Sequence, residues 1–234
     1  MACIIVFDTS TKACSVSLYR DSELLASWHQ VAEGYTHAEE LHVRISEVME
    51  KAQVKFSQLD AVAVGKGPGS YTGLRIGVSS AKGLAYGLDI PLISIESLDL
   101  ILADVEAQDQ SIFIPMIDAR RLEAYAKVFI LKDNEFIELE STTNIILDSE
   151  DFNALLERYI DHSIHFLGDA AVKTRDFLIS HERINQFTFY PDNYPDTRFI
   201  GPLLENLFKQ KEFENVVTFE PFYLKDFMLT PKRR

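Results

Sequence analysis

"VAVGKGPGSYTGLRIGVSSAKGLAYGL", residues 62–88, carries seven of the chain's ten glycines. An apolar run into Gly65 predicts a short buried strand. Gly67-Pro68-Gly69 predicts a turn, and Tyr71 to Leu88 a long helix. At ~3.6 residues per turn, Gly73, Gly77, Ser80, Gly83 and Gly87 share about a third of the helix circumference. Leu74, Val78, Ala81, Ala85 and Leu88 fill the adjoining arc, and Arg75 and Lys82 lie on what remains. Four interior glycines disfavour the helix by up to ~4 kcal/mol relative to alanine, so close packing must compensate. One sheet covers an arc of only roughly 100°, and this helix is expected to be buried on two sides. Two readings follow: a central helix wholly inside its own domain, or a helix whose second face meets another protein.

Glycines before a helix also raise the question of phosphate or nucleophile chemistry, and here the spacing fails each test. A Walker loop needs its lysine and hydroxyl directly after G-x-x-x-x-G. Lys66 comes too early and Lys82 lies within the helix. Gly67-Pro68-Gly69-Ser70-Tyr71-Thr72-Gly73 has one residue too many for a dinucleotide loop, and Pro68 removes an N–H. In Gly69-Ser70-Tyr71-Thr72-Gly73 the serine stands one place early for a hydrolase elbow.

Working outward, "CIIVFDTS", "ACSVSLYRD" and "ELLASWHQ" read as a three-strand meander. About 110 residues on, "IFIPMIDAR", "EAYAKVFIL" and "EFIELES" repeat its order, and Lys132-Asp133-Asn134-Glu135 echoes the turn Arg20-Asp21-Ser22-Glu23. A helix with a Thr36–Glu39 capping box follows the first meander, its apolar stripe made by Leu41, Ile45, Val48, Met49 and Ala52. "IPLISI" reads as a strand and "SLDLILADVEA", residues 97–107, as a helix. The second half is thinner: a helix near 149–161, a strand "IHFLG", helices from about 170 and at 200–210, and a loop "QFTFYPDNYPDTR" before the last of these. The fold class is α/β, with two related lobes and a cleft between them. The first lobe spans 1–107, with segment 197–234 packing back on it; the second, smaller one spans 108–196.

The formal net charge of −13 over 234 residues repels a phosphate backbone, so the chain is a poor direct binder of nucleic acid. The basic "TPKRR" at the end reads as a solvated tail. No apolar stretch reaches the ~20 residues that span a bilayer, and no signal peptide is recognisable, which makes the expectation cytoplasmic. Cys3 and Cys14 read as small buried thiols. His37 and His42, five apart, fall on different helix faces, and no metal site is expected. Asp8 and Asp118 end equivalent strands and could face one cleft; turn-forming aspartates are the plainer reading.

"DTSTKACSVSLY", "GKGPGSYTGLRIGVSSAKGLAYGLDIPLISIESL", "IDARRLEAYAKVF" and "EPFYLKDF" together resemble the TsaB (YeaZ) family, bacterial partner subunits of the tRNA threonylcarbamoyladenosine machinery. The resemblance implies the two-lobed actin-like (ASKHA) fold, with duplicated meanders and a reduced second lobe. Its motif loop falls on Gly67, Pro68, Gly69, Ser70, Thr72, Gly73 and Arg75. It implies a scaffold and activator rather than an enzyme, docked on the catalytic paralogue TsaD, with the ATPase TsaE recruited to the larger complex. TsaD's metal-binding histidine pair aligns with Glu96 and Leu100 here. The turn Thr9-Ser10-Thr11-Lys12-Ala13 lacks the paralogue's acidic residues, and "FLGDAA" lacks the superfamily's adenine loop. No cofactor is therefore expected on this chain; ATP and metal fall to the partners, and tRNA is contacted only indirectly. The family's helix pairing places Leu41, Ile45, Val48 and Met49, with Leu74, Val78 and Ala81, at the interface with TsaD or with a second copy in a homodimer. The alternatives are a small-molecule kinase or ATPase working through a degenerate cleft at Asp8, Thr9, Ser10 and Asp118, and a peptidase acting on its partner.

Overall fold

The computed structural model describes residues 2–32, 37–102, 105, 109–133 and 135–225. Thr36 of the expected capping box, Asn134 of the second turn and the basic tail lie outside these residues. Strands β1 (Cys3–Asp8), β2 (Ala13–Arg20) and β3 (Glu23–Val31) form the first meander. Helix α1 (His37–Lys51), strand β4 (Ala61–Gly67), helix α2 (Tyr71–Leu88) and strand β5 (Leu92–Glu96) follow. The sheet order is β3-β2-β1-β4-β5, with β1 antiparallel to β2 and parallel to β4.

The second lobe repeats this plan. Its meander is β6 (Ile112–Asp118), β7 (Glu123–Lys132) and β8 (Glu135–Ile146), followed by α3 (Glu150–Arg158), β9 (Ile164–Leu167), α4 (Ala171–Leu178) and β10 (Phe187–Tyr190). The order β8-β7-β6-β9-β10 matches the first sheet strand for strand. The duplication therefore extends beyond the meanders to helix, strand, helix, strand. A final helix, α5 (Gly201–Gln210), returns to the first lobe.

All six β1 residues are buried because both faces of the first sheet are covered. On one face Ile5, Phe7, Val62 and Val64 pack against Leu41, Ile45, Val48 and Met49 of α1 and Val78, Ala81 and Ala85 of α2. On the other, Ile4, Val6, Ala61, Ala63 and Ile93 pack against Ile200 and Leu204 at α5. Period-2 alternation along β1 thus feeds two cores at once.

Two expectations are corrected. The helix predicted over 97–107 is, among its described residues, one 3₁₀ turn at Asp99–Ile101. Its apolar spacing serves a crossover: Leu98, Ile101 and Leu102 are buried with Phe113, Phe129 and Leu167 in the second lobe's core. The aromatic loop expected before the last helix contains β10, whose four residues pair in parallel with β9. Its strand signal was too short to stand out beside two prolines.

Helix α2 has the predicted bounds. Ser70 caps it, its hydroxyl accepting from the Gly73 N–H at 3.3 Å, and Asp89 ends it in the left-handed conformation with φ 53°. The glycine arc divides in two. A methyl group on Gly73 would collide with the Thr9 carbonyl, and one on Gly77 with the Thr9 hydroxyl. At Gly83 and Gly87 it would meet nothing within 4 Å. Gly73→Ala is therefore expected to lower stability by roughly 1–3 kcal/mol. Gly83→Ala should raise it by up to ~1 kcal/mol through helix propensity alone. Urea unfolding of the two variants beside the wild type measures both signs.

Candidate functional site

The lobes enclose a cleft of about 1140 Å³. The first lobe contributes Ser10–Lys12 and Pro68–Thr72, the second Asp118–Arg121 with Tyr125 and Asp169, and residues 222–225 run along the rim. Asp8 is not among the lining residues. It is wholly buried, one carboxylate oxygen accepting from the Ser10 N–H at 2.8 Å and the Ser10 hydroxyl at 2.7 Å, the other from the Ser97 hydroxyl at 2.6 Å. Gly65 leaves the room this carboxylate needs, since a side chain there would overlap it. Burial pushes the Asp8 carboxyl above the usual range, against the hydrogen bonds from Ser97 and Ser10.

Thr9 is equally enclosed and donates to the Gly73 carbonyl at 2.7 Å. The Ser10 carbonyl accepts from the Ser70 N–H at 2.6 Å. Asp118 does line the cleft, but it pairs with Lys173 and accepts from the Arg120 N–H at 2.8 Å. Asp8 and Asp118 therefore do not converge as a carboxylate pair. Thr9 ties the β1–β2 turn to α2, and Asp8 ties it to Ser97 after β5. No group of three or more His, Cys, Asp or Glu side chains suited to a metal occurs among the described residues.

The motif loop works as a clasp. The Gly67–Pro68 bond is cis, and Gly67 takes φ 107°. Gly69 and Gly73 admit the backbone of Ser10 and Thr9. Thr72 faces solvent, and the Arg75 guanidinium sits 4.1 Å from the centroid of the Tyr71 ring and reaches the Tyr223 hydroxyl at 3.3 Å. Cys3 and Cys14 are free buried thiols, and burial pushes Cys14 up to about 12. His37 lies buried with Nε2 2.7 Å from the Thr11 carbonyl, while His42 is exposed on another face. Among the described residues no helix is long and apolar enough to cross a membrane.

The seven side chains expected at a partner interface are placed elsewhere. Leu41, Ile45, Val48, Met49, Leu74, Val78 and Ala81 are each at most 3% exposed, buried within this chain's own lobe. Six of them belong to the inner stripe that holds α1 and α2 on the sheet, and Leu74 is buried beside Gly67, so as placed they face this chain's own core. The outer face belongs to residues that the sequence reading passed over or misplaced. Ser79, Gly83, Tyr86 and Gly87 are exposed on α2, as are His42, Val43 and Ser46 on α1. His42 Nε2 and the Ser80 hydroxyl, 3.2 Å apart, bridge the helices. A shallow hollow of about 310 Å³ lies there, lined by His42, Ser79, Ser80, Gly83 and Leu84. Tyr86, 78% exposed, stands on the same helix beside Gly83 and Gly87.

The family model for TsaD, tRNA N6-adenosine threonylcarbamoyltransferase, matches residues 32–173. The tRNA threonylcarbamoyladenosine biosynthesis protein TsaB of Bacillus subtilis is 30% identical over 165 residues, 70% of this chain and 70% of that protein. The chain belongs to the TsaB family. TsaB of Haemophilus influenzae is 38% identical over 124 residues, 52% of this chain; the match spans only 51% of that protein, about half its length. YeaZ from Pseudomonas aeruginosa superposes with a TM-score of 0.76 at 24% identity, covering 96% of this chain and 100% of that one. The two-lobed α/β fold, with its two sheets in matching strand order, is thus shared with that structure.

Asp8 gives a test of structural against chemical roles. Its folded pKa lies above the unfolded value, so between the two the folded state binds more protons. The Asp8 contribution to stability is therefore fully present below the ordinary carboxylate value of about 4 and is lost as pH rises through the window above it. Asp8→Asn should remove that slope and stay within about 1 kcal/mol of wild type. Asp8→Ala, which orphans the Ser10 and Ser97 donors, should lose roughly 1–3 kcal/mol or more. Thermal melts between pH 4 and 8 read both.

Proposed function

We propose that this chain is a non-catalytic subunit of the complex that makes threonylcarbamoyladenosine beside the tRNA anticodon. In this reading it works in the cytoplasm, docking on the catalytic subunit TsaD and holding it active. The coarser part, a place in tRNA threonylcarbamoyladenosine biosynthesis, follows the names of its curated relatives. The finer part rests mainly on one observation: the outer half of α2 offers Ser79, Ser80, Gly83 and Gly87 beside His42, with open space over both glycines. Small residues let another helix come within backbone distance, which bulkier side chains prevent. The same face would serve a homodimer of the free chain.

The cleft supports the same assignment. Of the four residues an ATPase or kinase reading needs, Asp8 and Thr9 are hydrogen-bonded inside the first lobe and do not reach the lining; Ser10 and Asp118 line it, but the Ser10 hydroxyl is bound to Asp8 and Asp118 is paired with Lys173. ATP and metal are accordingly assigned to TsaD and TsaE. The surface charge leaves tRNA to the partner, because a chain of net −13 opposes a phosphate backbone.

Gly83→Glu is expected to fold as stably as wild type, since the added side chain meets nothing and glycine is the poorer helix former. Mixed with the cognate TsaD, it should bind at least about 100-fold more weakly, because a buried unpaired charge at an interface is strongly unfavourable. Light scattering of the mixture measures this. Val78→Glu, 3% exposed in wild type, is the contrast: it should fail through unfolding. Equal binding by folded Gly83→Glu would remove α2 from the interface.

A further inference from the structure

Lys127 interrupts the otherwise apolar centre of β7, and its side chain is only 6% exposed. Its ammonium lies 2.8 Å from Asp99 Oδ1, 2.9 Å from Glu138 Oε2 and 3.4 Å from Glu96 Oε2. Glu96 is the last residue of β5 in the first sheet, Asp99 stands on the crossover, and Glu138 belongs to β8 in the second. Thr142 of β8 also donates to Glu96 Oε2, and Lys66 of β4 stands 4.0 Å from its other oxygen. Burial works to discharge the ammonium, but Asp99, Glu138 and Glu96 prevail and hold Lys127 above the ordinary lysine value. Burial pushes Asp99 up in spite of the ammonium, so this carboxylate depends on its partner. These oxygens do not form a metal site; what they fit is a hydrogen-bonding ammonium.

Among the described residues the chain passes between the lobes at 97–102 and again at 191–200, and hinges are built from short connecting segments of this kind. The cage spans that hinge from one sheet to the other. We propose that Lys127 is a built-in cation that pins the end of the first sheet to the second and fixes the angle between the lobes. The outer face of α2 and the whole second lobe then move as one body. This holds whether or not that face docks a partner.

Hydrogen exchange of the full chain tests the clamp. The reporters are amides beside the cage: Ser97, next to Glu96, which donates to the Gly67 carbonyl at the end of the first sheet, and Asp196, which donates to the Leu100 carbonyl between the two crossings. Lys127→Met keeps the apolar stem and loses the charge; Lys127→Ala loses both. In both variants these amides should exchange faster by about tenfold or more, while β1 and β6 change less than about threefold. Ethylammonium should restore protection in Lys127→Ala but not in Lys127→Met, and sodium at equal ionic strength in neither. Should Lys127→Ala fail to fold, Lys127→Met and Glu96→Gln carry the test with the same expected acceleration. Wild-type protection in Lys127→Met would overturn the proposal, as would acceleration spread evenly through β1 and β6, or sodium matching ethylammonium.

Discussion

The first lobe is organised by the contact between the amino-terminal half of α2 and the turn that ends β1. Gly73 and Gly77 remove the side chains that would hold the helix off, and Thr9 uses the space to donate to the Gly73 carbonyl. From the other side the Ser70 N–H reaches the Ser10 carbonyl, so turn and helix cap are joined by backbone as well as side chain. Asp8 completes the unit by gathering the Ser10 and Ser97 donors at a fully buried position beside Gly65. In the low-dielectric interior each of these bonds is costly to leave unmade. The unit therefore fixes where α2 lies, and with it the angle at which α1 can pack beside it.

That arrangement converts a stretch resembling a phosphate loop into a structural clasp. A ligand-binding turn keeps N–H groups and carboxylates aimed outward; here they are turned inward and satisfied by one another. The cleft remains large, and its walls carry Arg120, Arg121 and Lys12 beside Asp118 and Asp169. Asp8 and Thr9 at the end of β1 are absent from those walls, while Ser10, Thr11 and Lys12 of the same turn are among them.

The strands, the meander duplication and the bounds of α2 were legible because each rests on local pattern. Apolar runs ended at Asp8 and Asp118, and a serine cap and a left-handed aspartate bracket the glycine helix. What was not legible was the partner of each helical face. The stripe of Leu41, Ile45, Val48 and Met49 is the same pattern whether a sheet or another protein covers it, and here the chain's own sheet does. The crossover at Leu98–Leu102 has helical spacing yet fills the second lobe's core as a single turn, because tertiary burial there overrides periodicity. Lys127 was a visible irregularity in an apolar strand, but its three carboxylates come from positions 96, 99 and 138, which no local pattern links.

The two halves of α2 obey different constraints, and the difference bears on what the outer half is for. Gly73 and Gly77 are required by contacts within the lobe, so their unfavourable helix propensity is offset by the clasp. A side chain added at Gly83 or Gly87 would meet nothing within 4 Å, yet glycine there weakens the helix by roughly 0.5–1 kcal/mol relative to alanine. Among the described residues no close approach like that of Thr9 at Gly73 offsets that loss. A backbone approaching from outside would, because it needs the same absence of side chains that Thr9 needs at Gly73. The proposed docking of a second helix thus applies to the carboxyl-terminal half of α2 the rule that the structure displays in its amino-terminal half. Tyr86 stands beside that strip, exposed where such a helix would cover it.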